Sequence, residues 1–126
     1  MKSFSKILVP TDFSRNSTYA LRAAAALAHD NGASLVVLHV EVPWSEHPEA
    51  GSEAEELHHR DLEREFGRFC EAVSGVRVER KTARGEPAAE IVGAADELDC
   101  DLIAMGTHGR TGLALLLAGS VTEEGL

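Results

Sequence analysis

The sequence has few aromatic residues, only two cysteines and no excess of positive charge. Aromatic residues make up 5% of the 126 positions, and most of the 44% hydrophobic content is alanine, leucine and valine, which favours helices packed closely on a sheet. The formal net charge of −9 argues against a general DNA or RNA binder, which needs a basic surface. An anionic ligand is still compatible with this charge, because carboxylates farther away than the Debye length of about 8 Å are largely screened.

The chain also lacks the patterns of secreted and membrane proteins. Cys70 and Cys100 form no CxxC motif, which predicts buried, reduced thiols. No run approaches the ~20 apolar residues of a membrane span, and the N-terminus does not resemble a signal peptide. We therefore expect a cytoplasmic protein, one domain over residues 1–126, with neither nucleic acid nor a membrane among its partners.

Short apolar runs alternate with helical patterns along the chain. Residues 6–10, 34–40 and 101–106 are apolar almost throughout, which is typical of strands buried on both faces, and the alternating residues 76–82 predict an edge strand. Helices are expected after Ser14, from Ser52 to about residue 73, and from Pro87 to about residue 98. The order βαβαβαβ predicts an α/β fold with an open parallel sheet and helices on both faces.

The segment 106–120, "GTHGRTGLALLLAGS", directly follows the last predicted strand. Ligands of open α/β sheets bind beyond the carboxyl ends of the strands, and glycines let successive backbone N–H groups converge on an anion. The chain contains neither G-x-x-x-x-G-K-S/T nor G-x-G-x-x-G after its first strand, so the usual phosphate motifs are absent from the sequence.

The spacing Gly106-x2-Gly109-x9-Gly119-Ser120 resembles the ATP-binding signature of the universal stress protein family. The opening "KILVPTDFS" with "YALRAAAALAHDNGASLVVLHV" resembles the start of that family, and "DLIAMGTHGRTGL" resembles its fourth strand and loop. The resemblance covers nearly the whole chain. It implies strand order 3-2-1-4-5 and a site between strands one and four for ATP, with magnesium.

The resemblance also implies residue roles. Pro10, Thr11 and Asp12 would line the nucleoside, with Asp12 accepting from the ribose hydroxyls. Val40 and the backbone near Met105 would contact adenine. The phosphates would be held by Gly106, His108, Gly109, Gly119, Ser120 and Val121, with Arg110 as a further candidate. No catalytic residue and no protein metal site are assigned.

Several of these residues have a simpler structural interpretation. Asp12 could cap the first helix, although Ser14 can already do so, and Ser120 with Glu123 could form a capping box. The glycine loop could be an empty connection, and Arg110 a solvated surface residue. His58-His59 is read as a solvated surface because adjacent residues do not share a helix face, and His39 as a satisfied core histidine. Leu113–Leu117 is read as core packing or cover for the loop.

The sequence departs from the family pattern at its end, where "GSVTEEGL" leaves no room for the usual helix and fifth strand. We therefore expect the fifth strand to be missing and strand four to be a bare edge, which favours a homo-oligomer with an atypical interface. The favoured function is an ATP-dependent stress sensor or switch, because only Asp12 and His108 could assist hydrolysis and neither has an evident partner. The alternatives are a nucleotide-free dimerising scaffold and, less favoured, an enzyme of a related adenine-nucleotide α/β group.

Overall fold

The computed structural model describes residues 4–42, 48–107 and 112–118, and within these ranges the chain forms one five-stranded sheet and three helices. The apolar runs and helical patterns of the sequence recur as these elements. Their bounds, in chain order, are β1 (Lys6–Thr11), α1 (Arg15–Asn31), β2 (Ser34–Glu41), α2 (Glu53–Cys70), β3 (Val78–Arg84), α3 (Pro87–Glu97), β4 (Leu102–Gly106) and β5 (Leu113–Leu117).

The strands lie in the order β3-β2-β1-β4-β5. The first four are parallel, with β1 between β2 and β4, so that Leu8 lies opposite both Val36 and Ile103. The predicted α/β fold and strand order are confirmed. The direction in which the chain winds reverses at β1, because β2 and β3 lie on one side of it and β4 on the other.

The expectation of a missing fifth strand is wrong. Leu113–Leu117 forms β5, which pairs antiparallel with β4 from the Gly106–Leu113 pair to the Leu102–Leu117 pair. The chain reverses before β5 at Gly112, where φ is +70°, and the Thr107 N–H donates to the Gly112 carbonyl at 3.0 Å. An apolar run this short does not distinguish a strand from a core segment by its periodicity, which is why the sequence did not reveal β5.

Two other expectations about this region, a bare edge at strand four and core packing of Leu113–Leu117, are also wrong. β4 is not a bare edge, because β1 and β5 pair with its two sides. The run Leu113–Leu117 is not core packing either, since Leu115, Leu116 and Leu117 are 47%, 39% and 53% exposed. The apolar outer strand of the described sheet is therefore β5.

Helices cover both faces of the sheet. α1 and α2 pack on one face, where Leu21, Phe66 and Phe69 join Ile7 and Val37 in a buried cluster. α3 packs on the other face, where Ile91 and Ala95 meet strand residues that include Leu8 and Ile103. The apolar residues that recur at helical spacing in the sequence are thus the ones whose side chains are buried against the sheet.

The predicted helix starts are confirmed. Ser14 caps α1 by accepting from the Ser17 N–H, and Ser52 caps α2 by accepting from the Glu55 N–H at 3.1 Å. The Glu55 carboxylate reaches back to the Gly51 N–H at 2.9 Å, one residue before the usual partner in a capping box. Both caps satisfy N–H groups that the helix itself leaves free.

Cys70 and Cys100 are free thiols; Cys100 is buried as predicted, whereas Cys70 is only half-buried. Burial raises the pKa of the Cys70 thiol, although the Arg80 guanidinium nearby opposes the shift. Among the residues that the structure describes, no helix combines the length and apolar character needed to cross a bilayer.

Candidate functional site

A cleft of about 360 Å³ lies at the carboxyl ends of β1, β2 and β4. This is the position at which the winding of the chain reverses, where open α/β sheets bind ligands. Its wall is formed by strand ends, the first turn of α1 and the start of α3, namely Pro10, Thr11, Asp12, Ser14, Asn16, Ser17, Leu38, Val40, Val42, Pro87, Ile91, Met105 and Gly106.

The turn between β1 and α1 is held by a network of short hydrogen bonds. The Thr11 hydroxyl accepts from the Phe13 N–H at 2.8 Å and donates to the Ser17 hydroxyl at 3.0 Å. The Asp12 carboxylate accepts from the Ser14 N–H at 2.9 Å and from the Ser17 hydroxyl at 3.0 Å. This network fixes the polar side of the cleft before any ligand arrives.

Asp12 combines the two roles that the sequence left open. Its carboxylate supports the first turn of α1, yet Asp12 is exposed and lines the cleft. Partial burial by itself would raise its pKa, but hydrogen bonds from Ser14 and Ser17 together outweigh that effect and lower the pKa below its usual value. The cleft therefore carries an ionised hydrogen-bond acceptor at neutral pH.

The opposite side of the cleft is apolar. It is formed by Leu38 and Val40 at the end of β2, Val42 just beyond it, and Pro87 and Ile91 of α3. A slot that is apolar on one side and presents a carboxylate and hydroxyls on the other suits a flat, partly apolar ligand that carries hydroxyl groups.

Gly106 has a steric role that its place in a phosphate motif did not suggest. A Cβ atom at this position would collide with the Asn16 carbonyl group and would lie 2.8 Å from the Ser17 backbone nitrogen. The missing side chain is what allows the end of β4 to approach the first turn of α1. Gly106 itself also lines the cleft.

The structure brings together half of the residues predicted for the site. Pro10, Thr11, Asp12, Val40, Met105 and Gly106 all line the cleft. The others lie outside the described residues, and with them the predicted Ser120 capping box: His108, Gly109, Arg110, Gly119, Ser120 and Val121. Because β5 runs antiparallel to β4, Ala118 lies beside Asp101, at the end of β4 away from the cleft.

The sequence analysis missed several wall residues. Ser17 is 4% exposed and lies on the buried stripe of α1 with Leu21 and Ala28. One hydroxyl on an otherwise apolar helix face was the signal that could have identified it. Leu38 and Ile91 carried no such signal, because only the packing of α3 on β2 brings them to the cleft.

Two of the histidines considered in the sequence analysis, His39 and His58, have defined partners. The His39 Nδ1 atom lies 3.0 Å from the Thr11 carbonyl oxygen, which confirms the interpretation as a satisfied histidine. His58 Nε2 lies 2.5 Å from a Glu41 carboxylate oxygen and thereby links α2 to the end of β2. In the described ranges, no three His, Cys, Asp or Glu residues are grouped in a way that could hold a metal ion.

A second cleft of about 290 Å³ lies between α3 and the outer half of the sheet. Its floor is built from small and apolar residues, with Lys81, Glu90 and Glu97 also in its wall. It shares Leu38 with the first cleft but contains none of the residues predicted for the site.

Comparison with known proteins supports a common family. The model of the universal stress protein family matches residues 3–124 of the chain. Universal stress protein MJ0531 of Methanocaldococcus jannaschii is 35% identical over 129 residues, which cover 96% of this chain and 75% of that protein.

Solved structures share the fold. The structure of protein MJ0577 of Methanocaldococcus jannaschii aligns with a TM-score of 0.64 and 30% identity, over 97% of this chain and 88% of that one. A universal stress protein solved in complex with cAMP aligns with a TM-score of 0.60 and 22% identity, over 81% of this chain and 72% of that one. At 22% identity, the likeness to the cAMP complex concerns the fold alone.

Proposed function

This chain belongs to the universal stress protein family, and we propose that it binds an adenine nucleotide in the cleft at the carboxyl ends of β1, β2 and β4. The observation that carries the proposal is the pairing of an apolar slot with an ionised, preorganised carboxylate at one position of the sheet. The relative solved with cAMP is an instance of an adenine nucleotide bound by this fold in another protein.

The two sides of the cleft match the two halves of a nucleoside. The apolar side, with Val40, Ile91 and the strand end at Met105, would enclose the adenine ring. On the polar side Asp12 would accept hydrogen bonds from the ribose hydroxyls, and an ionised carboxylate accepts more strongly than a neutral group. The hydrogen bonds from the Ser14 N–H and the Ser17 hydroxyl both end on the Oδ1 atom of Asp12, so neither of them occupies Oδ2.

The phosphates would be bound by the loop that follows β4, through His108, Gly109 and Arg110. The segment that begins at Gly119 is not included in this proposal, because Ala118 lies at the end of β4 away from the cleft. We propose ATP as the ligand because the sequence spacing Gly106-x2-Gly109-x9-Gly119-Ser120 matches the family signature for it. Magnesium would enter bound to the phosphate oxygens and would keep several of its waters, because the Asp12 carboxylate in the cleft is assigned to the ribose hydroxyls.

We further propose that the protein acts in the cytoplasm as a nucleotide-dependent stress sensor, not as a fast enzyme. Fast phosphoryl transfer needs a positioned base and groups that neutralise the γ-phosphate. The Asp12 carboxylate is instead engaged in holding the turn before α1. Its chemistry suits binding of hydroxyl groups better than activation of water.

A second function, a scaffold that pairs with copies of itself, is favoured by β5. This strand is the last in the described sheet, and three of its leucines are exposed. An apolar edge strand tends to pair with another chain. The proposed homo-oligomer would therefore associate through β5, and light scattering after gel filtration should report a mass above one chain, whereas Leu116→Lys should restore the monomer mass.

Isothermal titration calorimetry tests the nucleotide proposal. The wild type should bind ATP with micromolar affinity in the presence of magnesium, and Asp12→Asn should weaken binding about tenfold or more through loss of a charged acceptor. Val40→Trp should abolish binding by filling the slot. Ala94→Trp is the matched control, because it fills the second cleft and should leave the affinity unchanged.

Shorter ligands separate the two halves of the site. Adenosine should bind through the slot and Asp12, and ATP should bind more tightly if the residues after β4 hold its phosphates. Gly109→Val should then reduce the affinity for ATP but not for adenosine. Absence of heat with millimolar ATP and with adenosine would overturn the proposal in favour of the scaffold.

A further inference from the structure

Phe13 has an unusual backbone conformation next to the cleft. Its φ angle is +64°, a region that residues with a side chain rarely adopt because the Cβ atom crowds the backbone. Such a conformation costs free energy and persists only where the surroundings enforce it. The contacts of the Phe13 ring and backbone are therefore expected to enforce it.

Aromatic rings surround the Phe13 side chain. Its ring stacks on His39 with 4.7 Å between centroids and an interplanar angle of 27°. It also meets Phe66 and Phe69 of α2 edge-on, at 5.2 and 5.8 Å. Neither Phe13 nor His39 is among the described residues that line the cleft. Their rings can therefore affect the cleft only through the residues that do line it.

Phe13 and His39 also form hydrogen bonds with Thr11, at the start of the turn. The Phe13 N–H donates to the Thr11 hydroxyl at 2.8 Å. The His39 Nδ1 atom lies 3.0 Å from the Thr11 carbonyl oxygen, and because that oxygen only accepts, Nδ1 must carry the hydrogen. The residue between the two anchored positions is Asp12.

We infer that the stacked rings of Phe13 and His39 hold the turn after β1 in the shape that sets the Asp12 carboxylate in the wall of the cleft. Phe13 and His39 are positioning residues, since they act on the site through Thr11 and Asp12. The consequence for ligand binding rests on the proposed function, whereas the geometry of the turn does not require a ligand.

The Asp12 carboxyl itself reports the shape of the turn. Its pKa is lowered by hydrogen bonds from Ser14 and Ser17, which form only when the turn places the carboxylate over the first turn of α1. Carbon-13 NMR titration of the ligand-free protein measures this pKa. Phe13→Ala should move it up toward the ordinary value of about 3.9, while Phe13→Tyr, which keeps the ring, should leave it low.

Matched variants separate positioning from general stability. Phe4→Ala removes the same side chain from the same apolar cluster at the other end of β1, so it should cost stability without changing the Asp12 pKa. Phe13→Leu keeps an apolar side chain without the stack and serves if Phe13→Ala does not fold. An Asp12 pKa that stays low in the alanine variant, or in the leucine variant where only that one folds, overturns the inference.

Calorimetry with ATP then measures the consequence for binding. If the wild type binds, Phe13→Ala should weaken the affinity about as much as Asp12→Asn does, whereas Phe4→Ala should not. If the wild type binds no nucleotide, the proposed function fails, and the NMR titration still decides whether Phe13 positions Asp12.

Discussion

Gly106 at the end of β4 lies so close to α1 that a Cβ atom added to it would stand 2.8 Å from the backbone nitrogen of Ser17. The close approach of Gly106 to the α1 backbone brings together the two elements that flank the polar side of the cleft. It involves backbone on the α1 side, so a flexible side chain cannot move aside to relieve it. The glycine is therefore required by packing, whatever it contributes to a ligand.

Gly106→Ala is expected to destabilise the protein by about 1–3 kcal/mol, the usual cost of overpacking a tight site. Urea unfolding followed by circular dichroism measures the change. Gly67→Ala is the matched control, because a Cβ at this position in α2 meets nothing within 4 Å and alanine should stabilise the helix by up to about 1 kcal/mol. Equal effects of the two substitutions would contradict the steric role of Gly106.

Asp101 joins the starts of β1 and β4. One of its carboxylate oxygens accepts from the Ser5 N–H at 2.7 Å, the Ser5 hydroxyl at 2.9 Å and the Lys6 N–H at 3.0 Å. Hydrogen bonds to a charged group contribute about 1.5–3 kcal/mol, so Asp101→Ala should lower the free energy of unfolding by that order.

Asp101→Asn should cost less, since the amide oxygen still accepts. Asp30→Ala is the control for removal of an acidic side chain, because Asp30 is 79% exposed and its loss should change stability by less than about 0.5 kcal/mol. If Asp101→Ala lowers the free energy of unfolding no more than Asp30→Ala does, the hydrogen bonds of Asp101 do not stabilise the pairing of β1 with β4.

Cys100 should make the protein less stable at alkaline pH. Burial raises the pKa of the Cys100 thiol to about 11 in the folded protein; the Lys6 charge opposes this shift, and nearby carboxylates add to it. In the unfolded chain the pKa of a cysteine thiol is about 8.5. Between these values the native state holds a proton that the unfolded state has lost, so stability falls as pH rises through this window. Unfolding in urea at pH 7 and pH 10 should show a smaller alkaline loss for Cys100→Ala; an identical loss would refute this assignment.

The ionised Asp12 carboxylate should add to the free energy of unfolding, and this contribution should be lost at acid pH. Its folded pKa lies below the ordinary value of about 3.9, so its stabilising effect is present above that pH and disappears as pH falls through the folded pKa. Asp12→Asn should therefore destabilise the protein more at pH 6 than at pH 2.5. The difference in unfolding free energy at the two pH values measures this, and a loss that does not depend on pH would contradict it.

The sequence predicted the features that depend on local chemistry. Ser14 and Ser52 cap helices because their hydroxyls accept from the backbone three residues on, a pattern visible in the letters alone. The buried strands followed from runs that are apolar almost throughout. The place of Asp12 in the site was implied by the resemblance to the family. Resemblance to the family added the order of the strands.

Features that depend on packing were not predictable in this way. β5 required the chain to reverse at Gly112, and its apolar residues fit a strand and a core segment equally well. The apolar wall of the cleft includes Ile91, whose place is set by how α3 lies on β2. The conformation of Phe13 depends on rings from α2 and β2, distant in sequence.

The central claim is that an adenine nucleotide occupies the cleft at the carboxyl ends of β1, β2 and β4. The most direct measurement is titration of nitrogen-15-labelled protein with ATP and magnesium, followed through the backbone amide resonances. The account predicts saturable shifts at Asp12, Val40 and Met105, with little change around Gly93 and Ala94 in the second cleft. Shifts confined to the second cleft, or none at millimolar ATP, would contradict it.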